Sequence, residues 1–339
     1  MKFDVGIDIG TTNTKIYFKN KTDVLNIPSV IAIKKNNGKI IGIGEKAYMM
    51  LGKAPDSIMV KKTVEKGVVR DIQLNRIMLK EILSKIFKKT FRKSKICLCY
   101  HSFMTNFEKY TFKNSILNPN HNEIFLIDES LASAIGEKIN LVEDTCFLVV
   151  NVGGGTTDIS IISNNGVLYN KSLQIGGELI DEIIKKNILI NHKLLIGKAT
   201  SEKIKKKAAT MFSLNDKLKF KIKGKDAYKK QPKILELSQK EICKNIDIPV
   251  NKIIDNIIDI IKTVEPDIIY NIQKNGIILT GGCSLIPGFK ELIEKKTGFL
   301  VKKAKEPIGC AALGALHSYE YLNDNFLEYI FPAWFSICK

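Results

Sequence analysis

The sequence predicts an α/β protein of two domains with similar cores. Three observations carry this. At 339 residues the chain is too long for one small core. Short apolar strands alternate with amphipathic helices along it. A β-hairpin with a Gly/Thr tip occurs twice, and the two copies agree in register.

The first hairpin runs from Phe3 to Gly10 and returns over Thr14 to Phe18. Short strands follow around Pro28, at Val24-Leu25 and Ser29 to Ile33, then a short helix over Gly44 to Leu51. Residues 72–87 have helical spacing, with Ile77, Met78, Ile82, Leu83 and Ile86 on the expected inner face. Ile96 to Tyr100 and Ile124 to Ile127 read as buried strands, and Glu129 to Lys138 as a helix rich in small residues. The opening pattern then returns: Phe147 to Val150, a tip over Asn151 to Thr157, and Ile159 to Ile162. Laid on the first copy, Asp8 meets Asn151, Gly10 meets Gly153 and Thr14 meets Thr157. Helices are expected over Glu178 to Ile190 and Ser201 to Phe212, then a Lys-rich β region over Leu218 to Leu237. A long helix over Val250 to Val264 should bury Ile253, Ile254, Ile257, Ile258 and Ile261. A buried strand, Gly276 to Leu279, enters Thr280-Gly-Gly-Cys-Ser284, and a last core helix covers Gly309 to Leu322.

Hydrophobic residues make up 45% and charged residues 26%, which argues against long disordered stretches. The net charge of +18 has two readings. One is an anionic partner, such as an acidic membrane, an acidic protein face or nucleic acid. The other is the Lys/Ile/Asn bias of an AT-rich genome. Seven cysteines without paired C-x-x-C motifs argue against a zinc site and read as buried thiols of a reducing cytoplasm. The first strand starts too near the N-terminus for a secretory leader, and no apolar run approaches the roughly 18 residues of a membrane span.

The two tips suit phosphate chemistry. Glycine lets backbone N–H groups approach phosphate oxygens, and Thr hydroxyls add donors. Two facing tips could clamp a polyphosphate. This is not a P-loop, because no G-x-x-x-x-G-K-[ST] is present and the tips lead into strands; a dinucleotide fingerprint is absent too. Asp8 can serve a divalent ion in the first hairpin, while the equivalent Asn151 lacks the charge. Glu129, at a helix start, is a candidate for orienting water; the alternative, which Asp128 shares, is an acid favoured by the helix dipole.

Gly6 to Thr14, Val152 to Asp158 and Leu279 to Ser284 together resemble the actin, heat-shock-chaperone and sugar-kinase superfamily. The detail resembles the MreB family of bacterial actin homologues: Asn26-Ile-Pro-Ser-Val-Ile-Ala-Ile33, Gly44-Glu-Lys-Ala47 with Met50 to Pro55, Gly67 to Asp71, Leu126 to Glu129 with Ala132 to Gly136, Ile175 to Glu178 with Asp181-Glu182, and Leu195 to Gly197 with Glu202. It runs in order from Val5 to Leu322.

The resemblance implies an actin-like ATPase fold: two similar domains with ribonuclease H-like cores, each carrying a smaller subdomain, and a nucleotide cleft between them. Domain I would span 1–139 plus about 306–322, with its small subdomain at about 30–65. Domain II would span 140–305, with its small subdomain at about 179–240, leaving an aromatic tail at 323–339. ATP or ADP with Mg²⁺ is implied in the cleft. Its phosphates would meet Gly10, Thr11, Thr12 and Asn13 on one side and Gly153, Gly154, Gly155 and Thr156 on the other. Glu129 maps to the catalytic acid, Asp8 to the metal side, and Gly177, Glu202, Lys205, Gly281 and Gly282 to the adenosine side.

Several residues depart from the family pattern. Asn151 stands where the family has the Asp that holds the metal's waters, which predicts slow hydrolysis with binding retained. Cys283 replaces a third Gly, Ser130 a Pro, and Tyr100-His-Ser-Phe-Met-Thr105 a V-P-x-G-I-T segment.

The implied function is a bacterial cytoskeletal protein that polymerises with itself at the inner face of the cell membrane and takes part in cell shape. Paralogous filament proteins are further candidate partners. Phe87 and Phe91, interleaved with Lys88, Lys89, Arg92, Lys93 and Lys95, fall where family members carry a membrane-inserting loop. Alternatively they are a helix end with a solvated Lys face. The tail, with Phe326, Leu327, Tyr329, Phe331, Trp334 and Phe335, has three readings: docking on its own domain, membrane insertion or partner binding. Nucleic acid is not an expected partner, because the Lys217–Lys233 region has no recognition module. The rival classes are a chaperone-type ATPase, for which no substrate-binding domain follows, and a small-molecule kinase, for which no sugar-site acid or Arg cluster stands out.

Overall fold

In the computed structural model, residues 4–19, 24–87, 94–116, 123–139, 146–163, 166–212 and 217–321 are described. Two five-stranded sheets dominate. The first has the order Glu123–Asp128, Lys95–Tyr100, Val5–Ile9, Asn13–Phe18, Leu25–Pro28. The second has the order Val301–Lys303, Ile277–Thr280, Phe147–Val152, Thr157–Ser163, Gly166–Leu173. In each, three parallel strands are followed by two antiparallel ones. The repeat seen in the hairpins therefore extends to whole sheets. Val5–Ile9 is central in its sheet and buried along its full length, which explains its unbroken apolar character apart from Gly6 and Asp8.

Smaller sheets extend each half. Val30–Lys34 lies between Ile40–Ile43 and Ile58–Lys62, with the helix Glu45–Tyr48 beside them. Leu194–Leu195, Lys219–Asp226 and Pro232–Ser238 form the other, so the Lys-rich region is a hairpin.

The long helices occupy the expected segments, but their buried faces are rotated from those read off the sequence. Ile72–Phe87 buries Leu74, Met78, Leu79, Ile82 and Leu83, whereas Ile77 is 38% exposed. Asp247–Thr263 buries Val250, Ile253, Ile254, Ile257 and Ile260; Ile258 and Ile261 pack half-buried at the edge of the same core. In runs this rich in apolar residues, periodicity leaves the stripe's centre undetermined, and the neighbouring sheet decides it. The helices Asn106–Ile116, Pro266–Asn275 and Phe289–Thr297 were not expected from the pattern.

Between the two large sheets lie the helices Glu129–Gly136 and Cys310–Tyr321, which share a core with Cys97, Cys99, Val149, Ile162 and Ile278. They cross at very short range. A Cβ on Gly314 would lie 1.6 Å from the Ala132 carbonyl oxygen, and one on Gly136 would lie 2.2 Å from that of Cys310. The cysteines are small enough to fill the remaining gaps: Cys99 Sγ donates to the Ala311 carbonyl at 3.4 Å and Cys310 Sγ to that of Ser133 at 3.1 Å. All six cysteines among the described residues are free, and burial pushes the Cys97 thiol up to about 12. Asp128 caps the first of these helices by accepting from the Ser130 and Leu131 amides at 2.9 and 3.3 Å. This packing holds Glu129 at a fixed point between the sheets.

Gly314→Val should destabilise the protein by about 3 kcal/mol or more, because backbone stands where the side chain must go. Equilibrium urea unfolding reads this directly. An unchanged midpoint would mean that the two helices do not cross this closely.

Candidate functional site

The two hairpin tips are built alike. Gly10 N–H donates to the Asn13 carbonyl at 3.1 Å, and Gly153 N–H to that of Thr156 at 2.9 Å. The pairing Asp8↔Lys15 in one hairpin is the counterpart of Asn151↔Asp158 in the other. The tips also touch. A Cβ on Gly154 would lie 1.9 Å from Thr12 Oγ1, and one on Gly155 would lie 2.6 Å from Thr11 Oγ1. Only glycine permits that approach. The strand Ile277–Thr280 arrives beside them and turns at Gly281, whose φ of +85° and closeness to the Val152 carbonyl exclude a side chain.

These elements surround a cavity of about 450 Å³. Asp8, Gly10, Thr11, Thr12 and Asn13 line it from the first hairpin. Asn151, Gly153, Gly154, Gly155 and Thr156 line it from the second. Glu129 lies at its floor, and Gly177, Glu202, Lys205, Gly281 and Gly282 complete the far wall. Every residue expected from the sequence to meet nucleotide, metal or water thus faces one cavity. Among the wall residues not singled out are the charged or titratable Lys15 and His101. Lys15 was legible as the partner of Asp8 across a two-stranded register. His101 was visible only as part of an atypical segment.

At the floor, the charges pair. Lys15 Nζ lies 2.7 Å from Asp8 Oδ2. Burial raises the Asp8 carboxyl above its ordinary range, against the pull of Lys15. Glu129 has both oxygens engaged: Asn151 Nδ2 donates to Oε1 at 2.6 Å, and His101 Nδ1 lies 2.6 Å from Oε2. The His101 contact is close but not aligned with a ring N–H, so it is an ion pair rather than a directed hydrogen bond. Burial opposes the Glu129 charge, but His101, Lys15 and Asn151 outweigh it and hold the carboxyl down at about 2. Burial likewise opposes the His101 charge, and Glu129 with Asp158 reverses this, raising the imidazole well above its ordinary value.

On the far wall, Lys205 Nζ donates to the Gly177 carbonyl at 2.8 Å and to Asp181 Oδ2 at 2.9 Å. Glu202 accepts from the Tyr48 hydroxyl and pairs with Lys206 at 2.7 Å. Glu178 pairs with Lys62 and, at 3.0 Å, with Lys198. Tyr48 and Lys62 belong to the small-sheet region of the first half, so these contacts link that region to the helices Gly177–His192 and Lys198–Ala208. Gly282 has open space where a side chain would stand, which leaves that wall flat.

The donor set at Asp8 and Asn151, one carboxylate and one amide beside the cavity, suits a Mg²⁺ ion that keeps most of its waters. Two other sequence-derived sites fall elsewhere. Lys88 to Lys93, with Phe91, and the tail at 323–339 lie outside the described residues; Phe87 ends its helix and Lys95 begins a strand. No helix among the described residues is long and apolar enough to cross a membrane.

Two like α/β halves, joined by crossed helices and meeting at paired glycine-hydroxyl tips, define an actin-like fold. The family model described as MreB/Mbl protein matches residues 2–326, and the chain belongs to that family. The cell shape-determining protein Mbl of Bacillus subtilis is 32% identical over 312 residues, covering 92% of this chain and 94% of the relative. The cell shape-determining protein MreB of Escherichia coli is 31% identical over 326 residues, 94% of each chain. Among solved structures, MreB5 of Spiroplasma citri bound to ADP superposes with a TM-score of 0.87 at 26% identity, covering 97% of this chain and 98% of that one.

The His101–Glu129 pair makes stability pH-dependent. A raised His101 contributes fully below about pH 6.5 and loses its contribution as pH rises through its folded-state value; Glu129 contributes above about pH 4.5 and loses its share only as pH falls through about 2. His101→Gln should therefore lower the melting temperature most near pH 6, with the deficit shrinking towards alkaline pH. A deficit that grows with pH would contradict the pairing.

Proposed function

We propose that this chain binds ATP and ADP in the cleft and polymerises into cytoskeletal filaments that take part in cell shape. The observation that carries the reading is the meeting of two like tips over a cavity of about 450 Å³, in a family member whose relatives are named as cell shape-determining. The ADP-bound state of the Spiroplasma citri relative supports the nucleotide. In this reading the backbone N–H groups of Gly10 to Asn13 and Gly153 to Thr156 receive the phosphates, and the wall formed by Gly177, Glu202, Lys205, Gly281 and Gly282 receives the adenosine. Asp8 and, through water, Asn151 hold Mg²⁺, which supplies charge neutralisation at the phosphates when bound. The domain boundaries proposed are those read from the sequence: 1–139 with about 306–322, and 140–305.

Hydrolysis is proposed to be slow, for a reason broader than the missing carboxylate at 151. Glu129 must accept or orient a water proton, yet Asn151 and His101 occupy its two oxygens and hold its carboxyl down at about 2. A base so weak gives little driving force for proton transfer at neutral pH.

Self-assembly is head to tail, since heterologous contacts of this kind generate open filaments. We further propose that filaments lie on the inner face of the cell membrane through Phe87, Phe91 and the adjoining Lys and Arg residues. Apolar insertion combined with attraction to anionic lipid is a two-signal anchor, and the net charge of +18 favours it. Paralogous chains of the same family are proposed as co-assembly partners.

Calorimetry of the full chain with ATP and ADP, with and without magnesium, tests the nucleotide reading; absence of any heat of binding would overturn it. Electron microscopy with each nucleotide on acidic lipid tests the filament. Asn151→Asp should raise phosphate release about tenfold or more, because a second carboxylate beside Glu129 restores its basicity and adds a ligand for the metal's waters. Release that stays at the wild-type level would refute the role given to Asn151.

A further inference from the structure

His101, Glu129 and Asp158 come from three separate elements and converge on one point. His101 follows the strand Lys95–Tyr100, Glu129 opens a helix, and Asp158 lies on the strand Thr157–Ser163. They are only 7%, 8% and 3% exposed. One ligand atom from each lies within 4.8 Å of the others. His101 Nδ1 is 2.6 Å from Glu129 Oε2 and 3.7 Å from Asp158 Oδ2. Neither His101 Nδ1 nor Asp158 Oδ1, both fully buried atoms, makes an aligned hydrogen bond.

We propose that these three side chains form a site for a borderline divalent transition-metal ion of the Zn²⁺ type, distinct from the nucleotide's Mg²⁺. Four features of the arrangement support this. A tetrahedral ion with bonds of about 2.0–2.2 Å sets its ligand atoms about 3.3–3.6 Å apart. The 2.6 and 3.7 Å contacts of His101 Nδ1 bracket that spacing, and all three ligand atoms already lie within 4.8 Å of one another. Charge is the second. A protonated imidazole between two carboxylates leaves a net negative charge in a buried site, whereas neutral imidazole, two carboxylates and a divalent ion sum to zero. The third is orientation. The His101 ring stacks on Phe103 at 5.4 Å and 9°, with Gly67 leaving space at Nε2, and this aims Nδ1 at the two carboxylates. Asn151 Nδ2 holds Glu129 Oε1, the kind of outer hydrogen bond that orients a ligating carboxylate. Chemistry is the fourth. A nitrogen donor suits Zn²⁺ and its neighbours and not Mg²⁺ or Ca²⁺, which take oxygen. Because His101 and Glu129 also line the cavity, the fourth position opens towards it for water or an anion.

The site does not depend on nucleotide binding. Its consequence does rest on the function proposed above: an ion on Glu129 Oε2 withholds that residue from water and keeps bound nucleotide intact.

Co²⁺, a visible stand-in for Zn²⁺, tests the site on the full chain without nucleotide. The expected result is one ion per chain, a visible absorption band of nitrogen/oxygen ligation, no near-ultraviolet thiolate band, and displacement by Zn²⁺ but not by Mg²⁺. His101→Gln and Asp158→Asn should each weaken binding by at least about tenfold, and Asp255→Asn, on the exposed face of the helix Asp247–Thr263, should leave it unchanged. Melting curves confirm that each variant folds; a variant that does not is set aside, and the wild-type spectrum decides by itself. No band at one equivalent, a thiolate band, displacement by Mg²⁺, or undiminished binding in folded His101→Gln would overturn the proposal. Calorimetry with nucleotide reads the other site, so one reading can fail without the other.

Discussion

Two hairpin tips that meet with no room for a side chain between them set the geometry of this protein. Gly154 and Gly155 lie against Thr12 and Thr11, so backbone of one half touches hydroxyl side chains of the other. The close approach does two things. It lines the cavity with N–H donors that need no side-chain motion, and it brings the equivalent positions Asp8 and Asn151 to a common floor. Any larger residue at the tips would force the halves apart.

A second constraint, the tight crossing of Glu129–Gly136 with Cys310–Tyr321, places the Glu129 carboxylate. Glu129 opens a helix that is capped by Asp128, pinned by glycine contacts and packed between two sheets. Its position is therefore a property of the core rather than of a loop. Two departures from the family pattern, at residue 151 and in the segment 100–105, lie far apart in sequence. Both act on this carboxylate, Asn151 on one oxygen and His101 on the other. A neutral amide where a carboxylate was expected and an imidazole where a proline was expected are thus one local change. Together they lower the basicity of Glu129 and create an electrostatic centre that the family resemblance does not imply.

The charge distribution follows the same division between cleft and surface. Around the cavity, lysines are spent on specific carboxylates: Lys15 on Asp8, Lys205 on Asp181, Lys62 and Lys198 on Glu178. Lys219–Asp226, the middle strand of its small sheet, carries exposed lysines at 219, 221, 223 and 225, and only its last two residues pair with Leu194–Leu195, which leaves the rest of that side open. A lysine-rich edge resists pairing with other strands, which is a structural use for part of the net charge of +18.

The sequence by itself determined the hairpins, their mutual register and the long helix spans, while Gly177, Glu202, Lys205, Gly281 and Gly282 were placed at the cavity by the family resemblance. The first three rest on local signals: glycine at backbone approaches, alternation in strands, and apolar periodicity over many residues. Tertiary structure decided the rest. The helix Asn106–Ile116 is too polar to show a clear stripe, and the strand Val301–Lys303 is too short to show alternation. Which face of Ile72–Phe87 is buried depended on the sheet beneath it. Above all, His101 acquired its surroundings by meeting Glu129 from a helix and Asp158 from another strand. An ion pair among residues dozens of positions apart leaves no periodic trace in a chain, so only the folded packing could bring it to light.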